Sequence, residues 1–297
     1  MSLNITVATP KLLICATDRR LVDFRSGRVV TERSAKSTAL FCADALALIT
    51  YNGIGRAQSG TPSDWLQALE TQRRLSGMRF RDVLQTIRED VQVRVRSLPE
   101  EFRRHTFVFG AWGRGQTWIV VISNYESASD DQVAHSARSH FDISALAQER
   151  DAETRVLVTG ASQDFDAEES AMICRVARKA GATGIDIKNL CVKAIQKVGK
   201  KKRRGVVGTS VLWAIAERYK GIESGLDVLG GTSVHEILNV ISPTLRLKDV
   251  RIEAPKGQPL SFGKPFPLPE ESCKHCGNPV PLGYARCEVC GHMVAAP

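Results

Sequence analysis

The order in which strand-like and helix-like segments follow one another constrains the fold of this chain more than any other feature. Short apolar segments fill residues 5–49, and the apolar spacing typical of two helices follows over residues 61–95. A second block of strand-like segments, a second pair of helices and further strand-like residues come next. Pairs of helices between blocks of strands predict two stacked sheets with a helix layer on each outer face. We therefore expect a four-layer αββα sandwich in the α/β (α+β) class.

Local signals predict where the individual elements begin and end. Thr61 is a suitable N-cap ahead of Pro62, and Pro99 ends the next helix. Asp166 and Asp186 are the expected N-caps of the second pair of helices. The remaining predicted elements are strands at 5–7, 12–15, 28–31, 38–41, 45–49, 105–112, 117–123, near Phe141, at 155–158 and 250–253, a strand pair within 206–216, and a helix at 234–240.

The first strands contain a segment that resembles a known family. Residues 4–20 have the sequence NITVATPKLLICATDRR. This segment and the element order resemble the proteasome β-subunit and its bacterial peptidase relative, within the N-terminal nucleophile (Ntn) hydrolases. The order of elements is similar across about residues 2–220, and the specific motif lies in the first fifty or so. The resemblance implies an Ntn-hydrolase sandwich, hydrolysis of a peptide or amide bond, and assembly into a ring or another oligomer.

The resemblance also implies a catalytic site that includes the start of the chain. In that family the first residue of the mature chain is the nucleophile, and its own α-amine is the general base. Removal of the initiator methionine would make Ser2 that residue. Asp18 lies sixteen positions later, where the family has an acid, and Arg20 follows it. Lys36 is the expected lysine of the site, and the turn at Gly53 lies where the family has an oxyanion-binding amide.

These residue types suit the chemistry. A free α-amine has a pKa of about 7.7–8.0, so it is substantially unprotonated near neutral pH. Beside its own hydroxyl, the amine of Ser2 can accept the Oγ proton and make the oxygen a nucleophile toward a carbonyl carbon. A nearby cation, here Lys36, is expected to lower the pKa of that amine by like-charge repulsion.

The start of the chain departs from the family pattern at two points. Ser2 and Leu3 stand where the family has two threonines. Lys36 lies two residues later than the family spacing, so we expect a longer turn near Ser26 to absorb the shift.

Other departures leave a catalytically inactive alternative open. The family has an aspartate and a serine after its fourth helix, where this chain has basic residues. Thr209 or Ser210 can replace that serine, and Ser162 can replace another that follows the preceding strand, but the aspartate has no clear substitute. A shifted alignment that matches residues 6–8 to the family start puts Ile5 at the catalytic position. That register predicts a dead site.

Two closely spaced pairs of cysteines lie near the end of the chain. The spacing is Cys-x2-Cys-x10-Cys-x2-Cys, formed by Cys273, Cys276, Cys287 and Cys290. Four thiolates in two close pairs predict a tetrahedral, structural Zn²⁺ in a small zinc ribbon. Because four cysteines leave no coordination position for water, we expect no hydrolytic chemistry at the metal. His275 and His292 are therefore not expected to be ligands.

A change in composition predicts the domain boundaries. Five prolines lie within residues 254–271, which indicates an extended, semi-rigid linker. The expected domains are the proteasome-like body at 1–253, the linker at 254–271 and the zinc ribbon at 272–297.

The basic charge of the chain is concentrated in one run. The formal net charge is +9, and it falls to +3 without six charges that lie within eight residues. The run comprises Lys197, Lys200, Lys201, Lys202, Arg203 and Arg204. We expect it to be either a solvated turn or a docking patch for an acidic partner.

Two further features predict the compartment. No apolar segment approaches the roughly 18 residues of a membrane helix, and the N-terminus lacks the pattern of a secretory signal. The cysteines outside the ribbon are single and lie among apolar residues, namely Cys15, Cys42, Cys174 and Cys191. This usage fits a reducing environment, and we expect a cytoplasmic protein.

Three functions follow from these patterns. The first is a proteasome-like hydrolase with Ser2 as nucleophile. The second is an inactive scaffold of the same fold, whose zinc ribbon and basic run recruit a protein partner. The third is nucleic-acid binding through those two regions, although the ribbon offers only Tyr284, Arg286 and few other aromatic or basic residues.

Overall fold

The structure is a computed structural model, and it describes residues 2–23, 26, 28–31, 34, 36–53, 62–71, 75, 77–113, 116–126, 137–146, 154–201, 207–217, 221–227, 234–235, 239–241, 270–273, 275–276, 279–281, 290 and 292. None of the helices within these ranges is both long and apolar enough to cross a membrane.

Strands and helices alternate in the predicted blocks. The elements, in chain order, are β1 (Leu3–Ala8), β2 (Leu12–Asp18), β3 (Leu21–Val22), β4 (Val29–Thr31), β5 (Ser37–Phe41), β6 (Ala45–Asn52), α1 (Pro62–Thr71), α2 (Phe80–Arg96), β7 (Thr106–Gly113), β8 (Gln116–Ser123), β9 (Asp142–Leu146), β10 (Arg155–Gly160), α3 (Ala167–Arg178), α4 (Gly184–Lys200), β11 (Val211–Glu217), β12 (Gly221–Asp227), β13 (Val234–His235), β14 (Asn239–Ile241), β15 (Glu270–Ser272) and β16 (Pro279–Pro281).

Most of the described strands form two six-stranded sheets. The first has the order β10-β1-β2-β11-β12-β13 and is antiparallel. The second has the order β14-β5-β6-β7-β8-β9 and is antiparallel except for the parallel pair β14 and β5 at its edge. The pairs β3–β4 and β15–β16 form separate two-stranded ribbons.

Three hydrophobic cores set the order of the layers. The first joins α1 and α2 to the second sheet, the next joins α3 and α4 to the first sheet, and the last fills the space between the sheets. Representative pairs from the three cores are Ile87 and Phe109, Ile5 and Ile195, and Leu13 and Val108. The predicted four-layer αββα sandwich is therefore confirmed.

Side-chain alternation along the strands determines which residues lie between the sheets. In β2, Ile14 and Ala16 pack toward the helices, whereas Leu13 and Cys15 pack between the sheets. Both faces are covered, which explains why this strand is apolar along most of its length. By the same alternation, Thr17 lies on the inter-sheet face, where a polar group needs a partner.

The predicted N-cap residue is correct for α3 and wrong for α4. Asp166 caps α3 by accepting a hydrogen bond from the Glu168 amide, as predicted. Asp186 was expected to cap α4, but the N-cap is Thr183. Asp186 is the third helical residue and completes a capping box with Thr183, because its carboxylate accepts from the Thr183 amide.

Two further expectations about secondary structure are wrong. The segment 206–216 was predicted to be a strand pair, but its strand β11 pairs with β12 and β2 instead. The segment 234–240 was predicted to be a helix, but it contains β13 and part of β14. The apolar spacing of so short a segment fits a helix or a strand, and pairing with an existing sheet edge determines the outcome. The predicted strand 250–253 and residues 254–269 of the predicted linker lie outside the described residues, whereas Glu270 and Glu271 at its end belong to β15. The domain boundaries remain predictions.

Candidate functional site

The carboxylate of Asp18 is the centre of a buried cluster at one end of the first sheet. Asp18 ends β2 and is fully buried. Its Oδ1 accepts a hydrogen bond from the Leu3 amide at 2.8 Å, and its Oδ2 accepts from the amides of Arg20 at 3.0 Å and Gly208 at 3.2 Å. Because backbone amides hold both oxygens, the carboxylate has a fixed orientation beside the residue that follows Ser2.

Lys36 brings a positive charge to the same carboxylate. The residue precedes β5 of the second sheet and is only 1% exposed. Its Nζ lies 3.2 Å from Asp18 Oδ2 and donates to the Arg20 carbonyl at 2.6 Å. The pair is therefore a buried ion pair with an additional hydrogen bond, an arrangement in which each charge depends on the other.

The β3–β4 hairpin lies between Asp18 and Lys36 along the chain. The turn of the hairpin includes Ser26, whose amide and hydroxyl both donate to Asp23 Oδ1 at 2.7 Å. Lys36 follows the hairpin and contacts Asp18. That a longer turn near Ser26 absorbs a two-residue shift remains a prediction.

Ser2 is held at the start of β1 by the end of β10. The Ser2 carbonyl accepts a hydrogen bond from the Ala161 amide at 2.8 Å, and Ser2 is 6% exposed. Gly160 has a φ of +86°, and a Cβ added there would lie 1.9 Å from the Ser2 oxygen. Only glycine allows this close approach, so the Gly160–Ala161 segment fixes the position of the Ser2 carbonyl.

The pairing of β1 with β2 shows where Ile5 lies, the residue that the shifted alignment puts at the catalytic position. Ile5 pairs with Ala16, and its side chain is fully buried in the core beneath α3 and α4. The Asp18 carboxylate instead contacts the Leu3 amide. The acid thus contacts the residue after Ser2 and is paired with the lysine, and Ile5 is a core residue.

Gly53 follows β6 in a conformation that favours glycine. Its φ is +129°, and an added Cβ would lie 2.6 Å from both the Arg104 carbonyl and the His105 ring. His105 is fully buried, with its ring centroid 5.9 Å from that of Trp65. Burial lowers the pKa of His105 to about 4, so the ring is neutral at neutral pH. A rigid, uncharged wall therefore supports the turn at Gly53.

A buried polar network that the sequence did not predict connects the two sheets near Ser2. Asn4 Nδ2 donates to Asn52 Oδ1 at 2.7 Å, and Thr17 Oγ1 donates to Asn4 Oδ1 at 2.5 Å. Glu126 Oε1 accepts from the Gly160 amide at 3.0 Å. Burial is the largest cause that raises the pKa of Glu126. No spacing motif in the sequence connects these residues, which lie far apart along the chain.

The segment after α4 also reaches the cluster. Besides the contact of the Gly208 amide with Asp18, the Ser210 carbonyl accepts from the Arg19 amide at 3.0 Å. The Thr209 carbonyl accepts from Gln196 Nε2 of α4 at 3.3 Å. One main-chain amide of this segment thus contacts Asp18, and the segment is also bonded to Arg19 and to α4. Ser162, the other serine considered, begins a short 3-10 helix directly after Ala161.

Three of the four predicted metal ligands lie together. The Sγ atoms of Cys273, Cys276 and Cys290 all lie within 4.8 Å of one another, and those of Cys273 and Cys290 are 3.6 Å apart. Cys287 lies outside the described residues. The amide of Cys276, and after it that of His275, lowers the pKa of the Cys273 thiol. This favours the thiolate that a metal ion requires.

Two histidines accompany these cysteines. The rings of His275 and His292 stack with centroids 3.5 Å apart, and a nitrogen of each lies within 4.8 Å of Cys290 Sγ. Three cysteines and a histidine near the C-terminus can therefore hold a metal ion. The expectation of four cysteine ligands and no histidine remains a prediction, because Cys287 lies outside the described residues.

Two described lysines of the basic run make contacts within the chain. Lys197 Nζ lies 2.7 Å from Glu169 Oε1 and 3.8 Å from Asp166 Oδ2. Lys201 Nζ donates to the Asp164 carbonyl at 3.0 Å. Residues 202–204 lie outside the described residues.

Comparisons with known proteins give a likeness to solved structures only. No protein-family model and no curated protein match the chain. Anbu (ancestral beta-subunit) from Yersinia bercovieri is 12% identical, with 79% of this chain and 87% of that chain covered and a TM-score of 0.47. The Anbu (Gly-1) mutant from Hyphomicrobium sp. strain MC1 is 11% identical, with 73% and 82% covered and a TM-score of 0.44. At these identities and TM-scores, the likeness carries no argument about the activity or the partners of this chain. Any such argument has to start from its own residues.

Proposed function

We propose that this protein is an N-terminal nucleophile hydrolase that cleaves a peptide or amide bond with Ser2 after removal of the initiator methionine. The observation that carries the proposal is the buried cluster around Asp18. Its carboxylate holds the amide next to Ser2 and an ion-paired Lys36, both within 3.2 Å. An oriented acid and a buried cation beside the first residue of the mature chain are what an α-amine base requires.

The reaction begins with a proton transfer within Ser2. Its α-amine takes the Oγ proton as Oγ forms a bond to the carbonyl carbon of the substrate, and the carbonyl electrons move to oxygen. The amide of Gly53 donates a hydrogen bond to this oxyanion. When the intermediate collapses, the carbon–nitrogen bond breaks, and the α-ammonium group gives its proton to the leaving amine.

Hydrolysis of the acyl-enzyme completes the cycle. Water attacks the ester carbon and gives its proton to the same α-amine. The carbon–Oγ bond then breaks, the acid product leaves, and Oγ of Ser2 regains a proton. Throughout the cycle, the charge of Lys36 lowers the pKa of the α-amine, and Asp18 fixes the position of Lys36.

The N-terminal mass and a covalent probe test this proposal together. We expect the purified protein to have lost Met1 and to react with a fluorophosphonate at Ser2, as located by peptide mass spectrometry. Ser2→Ala should abolish the labelling, Ser2→Thr should retain it, and the exposed Ser97→Ala should leave it unchanged. Retention of Met1, or labelling that persists in Ser2→Ala, would disprove the proposal.

An inactive scaffold is the second candidate, and it has one observation in its favour. Ser2 is only 6% exposed in the chain that begins with Met1, and a side chain this buried favours a structural role. The scaffold hypothesis expects no Ser2 labelling by probes of any size. The hydrolase hypothesis predicts that a small fluorophosphonate labels Ser2 even if a bulky peptide-based probe does not.

We also propose that the C-terminal cysteines bind a structural Zn²⁺. In a tetrahedral site with Zn–S bonds of about 2.3 Å, two sulfur atoms lie about 3.8 Å apart. The 3.6 Å separation of Cys273 and Cys290 supports this ion. Docking of a protein partner by the ribbon, assembly into an oligomer and weak nucleic-acid binding remain predictions. Pull-downs with and without residues 255–297 test the ribbon, and identical partner sets would contradict its docking role.

A further inference from the structure

Glu126 lies between the two sheets because of a turn after β8. The turn is organised by Ser123, whose Oγ accepts hydrogen bonds from the amides of Tyr125 at 3.1 Å and Glu126 at 2.8 Å. The same hydroxyl donates to the His105 carbonyl at 3.1 Å, which connects the turn to the residue before β7. Such a turn directs the chain away from the strand direction, and Glu126 is 7% exposed as a result.

The carboxylate of Glu126 connects the second sheet to the segment that holds Ser2. Oε1 accepts from the Gly160 amide at 3.0 Å. Gly160 packs directly on the Ser2 carbonyl, and the next amide, that of Ala161, donates to the same carbonyl at 2.8 Å. Glu126 is therefore connected to Ser2 through two hydrogen bonds. The first joins its carboxylate to the Gly160 amide, and the second joins the Ala161 amide, one residue later, to the Ser2 carbonyl.

Two buried polar atoms beside this path have complementary hydrogen-bonding capacity. Among the described residues, Glu126 Oε2, an acceptor, and Asn52 Nδ2, a donor, have no hydrogen-bond partner. Both side chains lie against Gly160, since Glu126 Oε1 accepts from its amide and Asn52 Oδ1 would lie 2.9 Å from a Cβ added there. Burial, the larger effect, raises the pKa of Glu126, whereas hydrogen bonding by Thr106, the Gly160 amide and Asn52 lowers it. Asn52 is 2% exposed and directly precedes Gly53, the expected oxyanion donor.

We propose that Glu126 is a positioning residue of the Ser2 site, which holds the Gly160–Ala161 segment against the Ser2 carbonyl and orients Asn52 beside Gly53. This inference rests on the proposed function, and it adds a residue that the family resemblance did not supply. Glu126 acts through other residues and does not itself touch the reacting atoms.

The chemistry of the position supports this role over simple packing. A buried carboxylate is costly, and an apolar side chain of similar volume stabilises such a position at least as well. Its hydrogen bond to the Gly160 amide, in contrast, cannot be made by an apolar side chain. Acids in such surroundings tend to occur at functional sites.

Two variants of matched size separate positioning from packing. Glu126→Gln keeps an acceptor for the Gly160 amide, and Glu126→Met fills similar space without one. With a fluorophosphonate on the full-length protein, we expect Glu126→Met to lower the maximal rate of Ser2 labelling about tenfold or more, because small displacements of reacting groups are costly. The half-saturating probe concentration should be unchanged. Glu126→Gln should recover most of the rate, and the exposed Glu168→Gln is the control.

Hydrogen exchange at the Gly160 amide gives a second measurement that needs no activity. We expect faster exchange in Glu126→Met and wild-type protection in Glu126→Gln. The inference is overturned if Glu126→Met labels at the wild-type rate, or if both variants are equally slow while the Gly160 amide stays protected. If the wild-type protein does not label at Ser2 at all, the proposed function fails. Protection that depends on the acceptor would then still establish Glu126 as the residue that fixes Gly160.

Discussion

Asp18 and Lys36 are opposite charges buried side by side, and each makes the burial of the other tolerable. We expect Asp18→Asn, which removes the opposite charge that faces buried Lys36, to lower the free energy of unfolding by about 3–5 kcal/mol. Lys36→Met should also destabilise, whereas the double variant should be more stable than the sum of the two single effects predicts. Urea denaturation of the three variants measures the coupling.

An exposed ion pair in the same protein provides the control for this cycle. Arg138 Nη1 lies 2.6 Å from Asp142 Oδ2, and the two side chains are 40% and 45% exposed. Solvent screens such a pair, so Asp142→Asn should cost less than about 1 kcal/mol. A cost for Asp18→Asn as small as this would show that Lys36 is stabilised by other groups.

His105 should make the stability of the protein sensitive to mild acid. Its pKa is about 4 in the folded protein against 6.5 as the ordinary value, so the unfolded chain binds more protons between these pH values. The stability that the protein gains from keeping His105 neutral is fully present above about pH 6.5 and is lost as the pH falls toward 4. From pH 7 to pH 5, the stability of the wild type should fall by about 2 kcal/mol relative to His105→Phe, which does not titrate.

Comparison of these two proteins isolates His105 from other buried groups. Glu126 has a raised pKa, so its titration acts in the opposite direction, but it is present in both proteins and cancels in the difference. Thermal unfolding at several pH values provides the measurement. A constant difference between wild type and His105→Phe over this range would contradict the buried, neutral state of the ring.

At the scale of elements, the end of β10 packs so closely on the start of β1 that the contact leaves no space for a side chain at Gly160. Gly160 and Gly181 have similar φ values of +86° and +83°, but only Gly160 has neighbours that an added Cβ would meet. We expect Gly181→Ala to cost about 1 kcal/mol through its backbone conformation alone, and Gly160→Ala at least about 3 kcal/mol.

The two glycine variants should also differ in how Ser2 reacts with the fluorophosphonate probe. Gly160→Ala would displace the Ser2 carbonyl, so labelling of Ser2 should be lost, while Gly181→Ala should label like the wild type. Equal stability losses in the two variants, measured by urea denaturation, would mean that β1 moves freely away from β10.

The elements that the sequence predicted are those with a strong period or a clear cap. The buried faces of α2 and α4 and the apolar runs of β2, β6 and β7 are visible in the sequence, because covering both faces of a sheet requires such runs. The segment 234–240 was predicted wrongly because its fate depends on the edge of β5, which local spacing does not reveal. The start of α4 was misplaced because Thr183 and Asp186 are both good capping residues, and only geometry assigns their roles.

The candidate site was only partly accessible to sequence reasoning for a related reason. Ser2, Asp18 and Lys36 were selected by a resemblance that depends on spacing along neighbouring strands, and the structure brings Asp18 and Lys36 into contact. Glu126, in contrast, contacts Gly160, which lies 34 residues away in the other sheet. A contact between sheets has no fixed sequence separation, so it becomes visible only in three dimensions.

At the scale of the whole molecule, two kinds of stabilisation are expected in one chain. The sandwich is held by three continuous apolar cores. The expected ribbon at 272–297 is too short to bury such a core, so a metal must supply most of its stability. Because the stabilising interactions of the two parts differ, loss of the metal should leave the sandwich intact.

Removal of zinc tests this division. We expect about one Zn²⁺ per chain by mass spectrometry of the metal, and Cys276→Ser, which removes one of the clustered thiolates, should lower the zinc content strongly. Cys174→Ser, on α3, should retain the metal and serves as the control. The main thermal transition should shift by no more than a few degrees in Cys276→Ser, since the cores of the sandwich are unchanged. A large loss of thermal stability in Cys276→Ser would instead mean that the ribbon packs against the sandwich and stabilises it directly.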